Sequence, residues 1–116
     1  MTNLLNETIE DLKQNGKTTQ DIKWIGSDDG LWIIPMEEFE NVFNIEYDSG
    51  YGSQEIASDL VVVGEDWWME RHEYDGSESW HVKSVPTLSE TPKKITIIKH
   101  GMWESIIEMN GGLETQ

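Results

Sequence analysis

In DWWMERHEYDGSESWHVK, residues 66–83, two of the chain's three histidines and three of its six tryptophans flank one turn. Side chains alternate across a strand. If Asp75-Gly76 closes a hairpin, Glu70, His72 and His81 share one face, with Trp68 and Lys83 beside them. Trp67, Met69, Trp80 and Val82 then share the other, as a core face. A two-residue turn sets Arg71 opposite Trp80, whereas a four-residue loop sets His72 opposite His81. The shift between these registers is even, so the faces are the same in both. Two imidazoles and a carboxylate within reach of one point form a ligand set for zinc, bound at about 2.0–2.2 Å. Glu73, Asp59 or His100 is available as a fourth ligand. The competing reading is a solvated sheet face, since no spacing here matches a named zinc motif. A metal held by histidine and acid alone reads as structural rather than catalytic.

Catalysis has little else to draw on. Cysteine is absent, which excludes a disulfide framework, thiolate metal sites and a cysteine nucleophile. SWH sets Ser79 two residues before His81, but no nucleophile elbow occurs. With Arg71 as the sole arginine there is no clamp for phosphate. The sequence reads as a non-enzyme, with zinc as its one candidate cofactor.

Charge is the strongest compositional signal. Against 23 acids stand eight Lys and Arg, a net charge of −15. Nucleic acid and anionic membranes repel such a chain, so neither is expected as a direct partner. A basic protein surface is, and the basic surfaces of cells are mostly nucleic-acid grooves. The bland alternative is that the acidity serves solubility alone.

Six Trp, three Tyr and two Phe in 116 residues nevertheless argue for a packed core rather than an acidic disordered tail. This size fits a single domain, 1–116. NLLNETIEDLKQNG places Leu4, Leu5, Ile9 and Leu12 near helical spacing, predicting a helix over about 3–15 capped by Asn3 or Thr2. DIKWIGSDDGLWIIP predicts a hairpin with strands at 22–26 and 31–34, and Trp24 and Trp32 as core partners. Pro35 opens a short helix over 35–43, with Met36, Phe39 and Phe43 on one side. YDSGYGSQE reads as an ordered loop and DLVVVG as a buried strand, followed by the hairpin of the opening paragraph. PTLSETPKK is a loop, KITIIKH another strand, GMWESIIEMN a final short helix or strand, and 111–116 a loose tail. The fold class is α+β: an antiparallel sheet of about five or six strands built from hairpins within 22–109, with the N-terminal helix and the second short helix packed on it. No basic n-region precedes an apolar run and no window approaches a membrane span, so a cytoplasmic protein is expected.

The segment EIASDLVVVGEDWWMERHEYDGSESW, residues 55–80, resembles small acidic proteins of Gram-positive phages and prophages, and the likeness extends over about Trp24 to Val85. Some short acidic phage proteins of this kind are anti-CRISPR proteins of the type II-A class, and some hold zinc. The resemblance implies an inhibitor in the bacterial host cytoplasm that blocks the type II RNA-guided effector nuclease by preventing target DNA loading. Such effectors hold their heteroduplex in a positively charged channel, where carboxylates can stand in for phosphates as a DNA mimic. The candidate contacts are acids near turns: Asp28, Asp29, Glu37, Glu38, Asp48, Glu65, Asp66, Asp75 and Glu78. Tyr51 and Trp68 are the candidate aromatic anchors. An immunity protein against a nuclease toxin shares the same acidity, as does a small structural phage protein with incidental charge.

Overall fold

The computed structural model describes residues 1–50, 52–99, 101 and 105–111. Where the sequence reads as one domain, the chain gathers into two compact units, Met1–Val85 and Pro86–Gln116.

In the first unit the elements run β1 (Thr2–Asn3), α1 (Leu4–Gln14), β2 (Trp24–Ser27), β3 (Ile33–Ile34), α2 (Phe39–Phe43), β4 (Glu46–Tyr47), β5 (Leu60–Val63), β6 (Trp67–Tyr74) and β7 (Ser77–Ser84). Strands β3-β2-β5-β6-β7 form one five-stranded sheet, antiparallel throughout, and β1 pairs with β4 in a second, two-stranded one. The fold is α+β, as the sequence pattern predicts.

Register follows from turn chemistry. Asp75 and Gly76 both have positive φ, 54° and 86°, the backbone that a two-residue turn between twisted strands requires. Arg71 therefore lies opposite Trp80 and Glu70 opposite His81. Ile25, Val62, Trp67, Met69 and Trp80 point to one side and pack with Leu4 and Leu12 of α1 and Phe39 and Phe43 of α2. Val82 is half-buried against this cluster.

Helix α1 starts where predicted, with the Asn3 side chain accepting the Asn6 N–H at 3.0 Å. Its buried stripe is Leu4, Thr8 and Leu12, and Ile9 is exposed. Thr8 is tolerated inside because its hydroxyl donates to the Leu4 carbonyl at 2.7 Å and accepts the Trp80 indole N–H at 2.9 Å. The segment after Pro35 forms a 3-10 turn, Met36–Glu38, before α2 begins. Phe39 and Phe43 pack edge to face at 4.8 Å between ring centres, while Met36 stays exposed.

Two expectations are corrected. Trp24 and Trp32 are not core partners: β2 and β3 pair Ile25 with Ile34, so the isoleucines fill the inner face, Trp24 turns to the outer face and Trp32 is 76% exposed. A one-residue change of parity is enough to exchange the faces. In the second unit, residues 94–99 form no strand. A side chain bonds the middle of this segment instead. Asn110 Oδ1 accepts the N–H groups of Thr96 (2.9 Å) and Ile97 (3.1 Å), and its Nδ2 donates to the Ile97 carbonyl at 3.0 Å. Asn110 follows α3 (Ile106–Met109), the short helix among the two predicted alternatives, capped reciprocally by Ser105 and Glu108. Of the predicted tail only Gly111 lies among the described residues.

Candidate functional site

The sheet's outer face carries the residues first singled out for chemistry. One row across it reads Trp24, Val63, Trp68, Lys83; the next reads Gly26, Val61, Glu70, His81. Trp24, Val61, Val63, Trp68 and Glu70 line an open cleft of about 360 Å³ with Asp28 at its edge. Trp68 is half-buried, and its indole N–H donates to Glu70 Oε1 at 2.8 Å. Lys83 Nζ lies 3.4 Å from the other Glu70 oxygen. The Trp68 bond first, then Lys83 and His81, holds the Glu70 carboxyl below its ordinary range.

His72 and His81 share this face, diagonally placed, with rings stacked at 3.8 Å and 12° between planes. An imidazole nitrogen presents its lone pair in the plane of its ring. Parallel rings at this spacing aim their lone pairs alongside each other, so one ion bound by both at about 2.0–2.1 Å requires a ring to turn out of the stack. Among the described residues no three His, Asp or Glu side chains converge on one point. Glu73 accepts the Gly76 N–H at 2.6 Å, and His100 lies outside the described residues.

The candidate contact acids divide by role. The β2–β3 and β6–β7 turns lie at one end of the antiparallel sheet and the β5–β6 turn at the other. Asp28 and Asp75 are exposed at the first end, Glu65 and Asp66 at the second, and Glu37 and Glu38 are exposed in the 3-10 turn. Glu65 pairs with Lys23 at 2.9 Å. Asp29 accepts the Ser27 hydroxyl (2.6 Å) and the Leu31 N–H (3.0 Å), bonds that hold its carboxyl low. Asp48 is half-buried and accepts the Gly50 N–H at 3.0 Å. Tyr51 lies outside the described residues.

Glu78 is a correction, because it is buried rather than exposed. Position 78 has the same parity as Trp80, so the strand turns it inward. There it receives the backbone N–H groups of Glu55 and Ile56 and pairs with Arg71 Nη2 at 3.2 Å. Arg71, the lone arginine, is also inside. Its Nη2 donates to the Tyr47 hydroxyl at 2.9 Å, its Nη1 stands 3.8 Å from Glu7 Oε1, and its guanidinium lies 4.6 Å from the Trp80 ring centre. Tyr47 in turn donates to Glu7 at 2.6 Å. Burial, and then that bond to Glu7, pushes the Tyr47 hydroxyl up to about 12, so it remains a proton donor. The same strand parity that places Trp80 could have revealed this ionic cluster.

Burial also raises Glu7, outweighing the Tyr47 bond and the Arg71 charge, and burial raises Asp11. A carboxyl raised on folding binds its proton more tightly in the native state. Its contribution to stability is present below the unfolded pKa and lost as pH rises through the folded one. Glu70 and Asp29, both lowered, act oppositely, and their contribution is lost as pH falls through the folded values. The thermal midpoint should therefore rise as pH falls from neutrality toward the ordinary carboxylate range and fall in stronger acid. Glu7→Gln should flatten the first slope; an unchanged slope in that variant would assign the rise to other groups.

The remaining outer feature is the β2–β3 tip. Leu31, Trp32 and Ile33 are 78%, 76% and 64% exposed on the sheet's edge. Among the described residues no helix is long and apolar enough to cross a membrane. Comparison with known protein families, curated proteins and solved structures returned no match.

Proposed function

We propose that this chain is a non-catalytic, phage-encoded inhibitor that binds a basic, nucleic-acid-handling host protein. The first partner to test is the type II RNA-guided effector nuclease, blocked as an anti-CRISPR protein would block it, before target DNA loads. The observation that carries the reading is the placing of charge. The only arginine is spent internally on Glu7 and Glu78, so lysines alone offset the carboxylates exposed at both ends of the sheet. A surface of this kind is steered toward a basic groove and away from nucleic acid.

Binding to the purified effector should weaken steeply with added salt, because exposed charges are screened beyond about 8 Å at physiological ionic strength. Reversing Glu65 and Asp66 together to lysine should lower the association rate by about tenfold and leave the fold intact. Asp29 is a poor choice for reversal, since it holds its own turn. Guide loading, target loading and cleavage are to be measured separately. Loss of target loading alone supports the reading, and an effector unaffected at all three steps ends it. Association with a nuclease toxin instead would select the immunity-protein alternative.

A further inference from the structure

We infer that the β2–β3 tip is the docking anchor, with Trp32 entering an apolar socket ringed by arginine or lysine on a basic protein. This rests on the function proposed above and names the surface that serves it.

The tip is pinned rather than loose. Gly30 N–H donates to the Ser27 carbonyl at 2.9 Å, Ser27 N–H to the Trp32 carbonyl at 2.9 Å, and Trp32 N–H to the Ser27 hydroxyl at 3.1 Å. Asp29 closes the turn through Leu31, and Asp28 N–H reaches the Asp59 carbonyl at 2.8 Å, tying the tip to the loop before β5. Gly26 lies directly beneath, where a Cβ would run into the Trp32 carbonyl. Three large apolar side chains are thus displayed on a fixed backbone, so little conformational freedom is lost when they are covered. Trp is among the residues most enriched at interface hot spots, where surrounding contacts serve to exclude water from it.

Charge selects the occupant. Asp28 and Asp59 border the tip, and Asp59 also edges a groove of about 160 Å³ walled by Trp32, Ile33, Ala57 and Leu60. A largely apolar groove with an aspartate in its lining suits a lysine or arginine, whose methylene stem packs on apolar surface while its charged head stays in polar surroundings. A second copy is disfavoured, because pairing tips would oppose these acids within chains that each carry −15. An anionic membrane or nucleic acid is disfavoured on the same ground.

Two probes separate this inference from the reading it rests on. In the first, the intact protein is titrated with a short peptide alternating arginine and leucine while amide resonances are followed. Shifts centred on residues 28–33 and 57–60 are expected. Peptides alternating arginine with serine, or glutamate with leucine, should bind at least tenfold more weakly, because each lacks one half of the complementarity. In the second, Trp32→Ala should raise the Kd for the effector about thirtyfold, mainly through faster dissociation. Leu31→Ser, equally exposed, guards against a tip that merely rearranges, and circular dichroism should show both variants folded. Peptide binding at the tip with no effector binding supports the anchor and removes the effector as partner. Effector binding untouched by either variant overturns the anchor and leaves the inhibitor standing. Concentration-dependent dimers abolished by Trp32→Ala would overturn the basic partner in favour of a second copy.

Discussion

Arg71→Met should destabilise the protein by roughly 3–5 kcal/mol in urea unfolding, the range for breaking a buried ion pair from one side. The methionine fills much of the arginine's space between Trp80 and Tyr47, so the loss is electrostatic rather than a cavity. Glu78 keeps the Glu55 and Ile56 N–H groups, and Tyr47 keeps Glu7. Two inward-facing carboxylates nevertheless lose the one cation that pairs with them among the described residues. The deficit should therefore shrink in mild acid, where protons neutralise the carboxylates left behind. Adding Glu78→Gln should restore part of the lost stability at neutral pH, since the inward charge at position 78 is removed while the amide oxygen still accepts one of the two loop N–H groups. A variant as stable as the parent would show that the arginine is a passenger among aromatics.

Trp80→Ala should be equally severe, about 3–5 kcal/mol, as large aromatic deletions in a core are. Three contacts fail together. The Trp80 ring stacks on Phe43 with centres 6.5 Å apart and planes within 9°, its N–H bonds Thr8, and the Arg71 guanidinium lies over it. The ring joins β7 to both helices, so its removal loosens α1 and α2 at once. Trp80→Phe isolates the polar part and should cost about 1–2 kcal/mol, because Thr8 retains its bond to Leu4. An alanine variant with an unchanged melting temperature would contradict the inward assignment of β7.

What could be read beforehand follows from how local the determinants are. Asp75-Gly76 fixes its own turn, and alternation then carries parity along sixteen strand residues of β6 and β7 without further information. The first hairpin lacked such a short loop. SDDG left the pairing open, and the choice between Trp and Ile for the inner face was settled by which pair, Ile25–Ile34, fits the core cluster beside Val62. That is a tertiary decision. Ile95 and Ile97 alternate as a strand would, but alternation says nothing about whether a neighbouring strand exists to pair with; Asn110 supplies the bonds instead. Of the candidate contacts, the turn acids were legible because turns expose their residues. Glu78 was misread because nearness to a turn was weighed above parity, and the exposure of Trp32 was missed because its size suggested a core.

The brevity of β3 bears on how such a chain survives its own synthesis. LWII is a run of large apolar and β-branched residues, the composition of segments that seed fibrils when they line up between chains. Only Ile33 and Ile34 of it pair with β2, so the free edge offered to another molecule is too short to template a ladder. Pro35 ends the run with a residue that cannot donate, and the aspartates before it repel an identical neighbour. The same few residues can therefore stay exposed at the sheet's edge without templating a ladder between nascent copies of the chain.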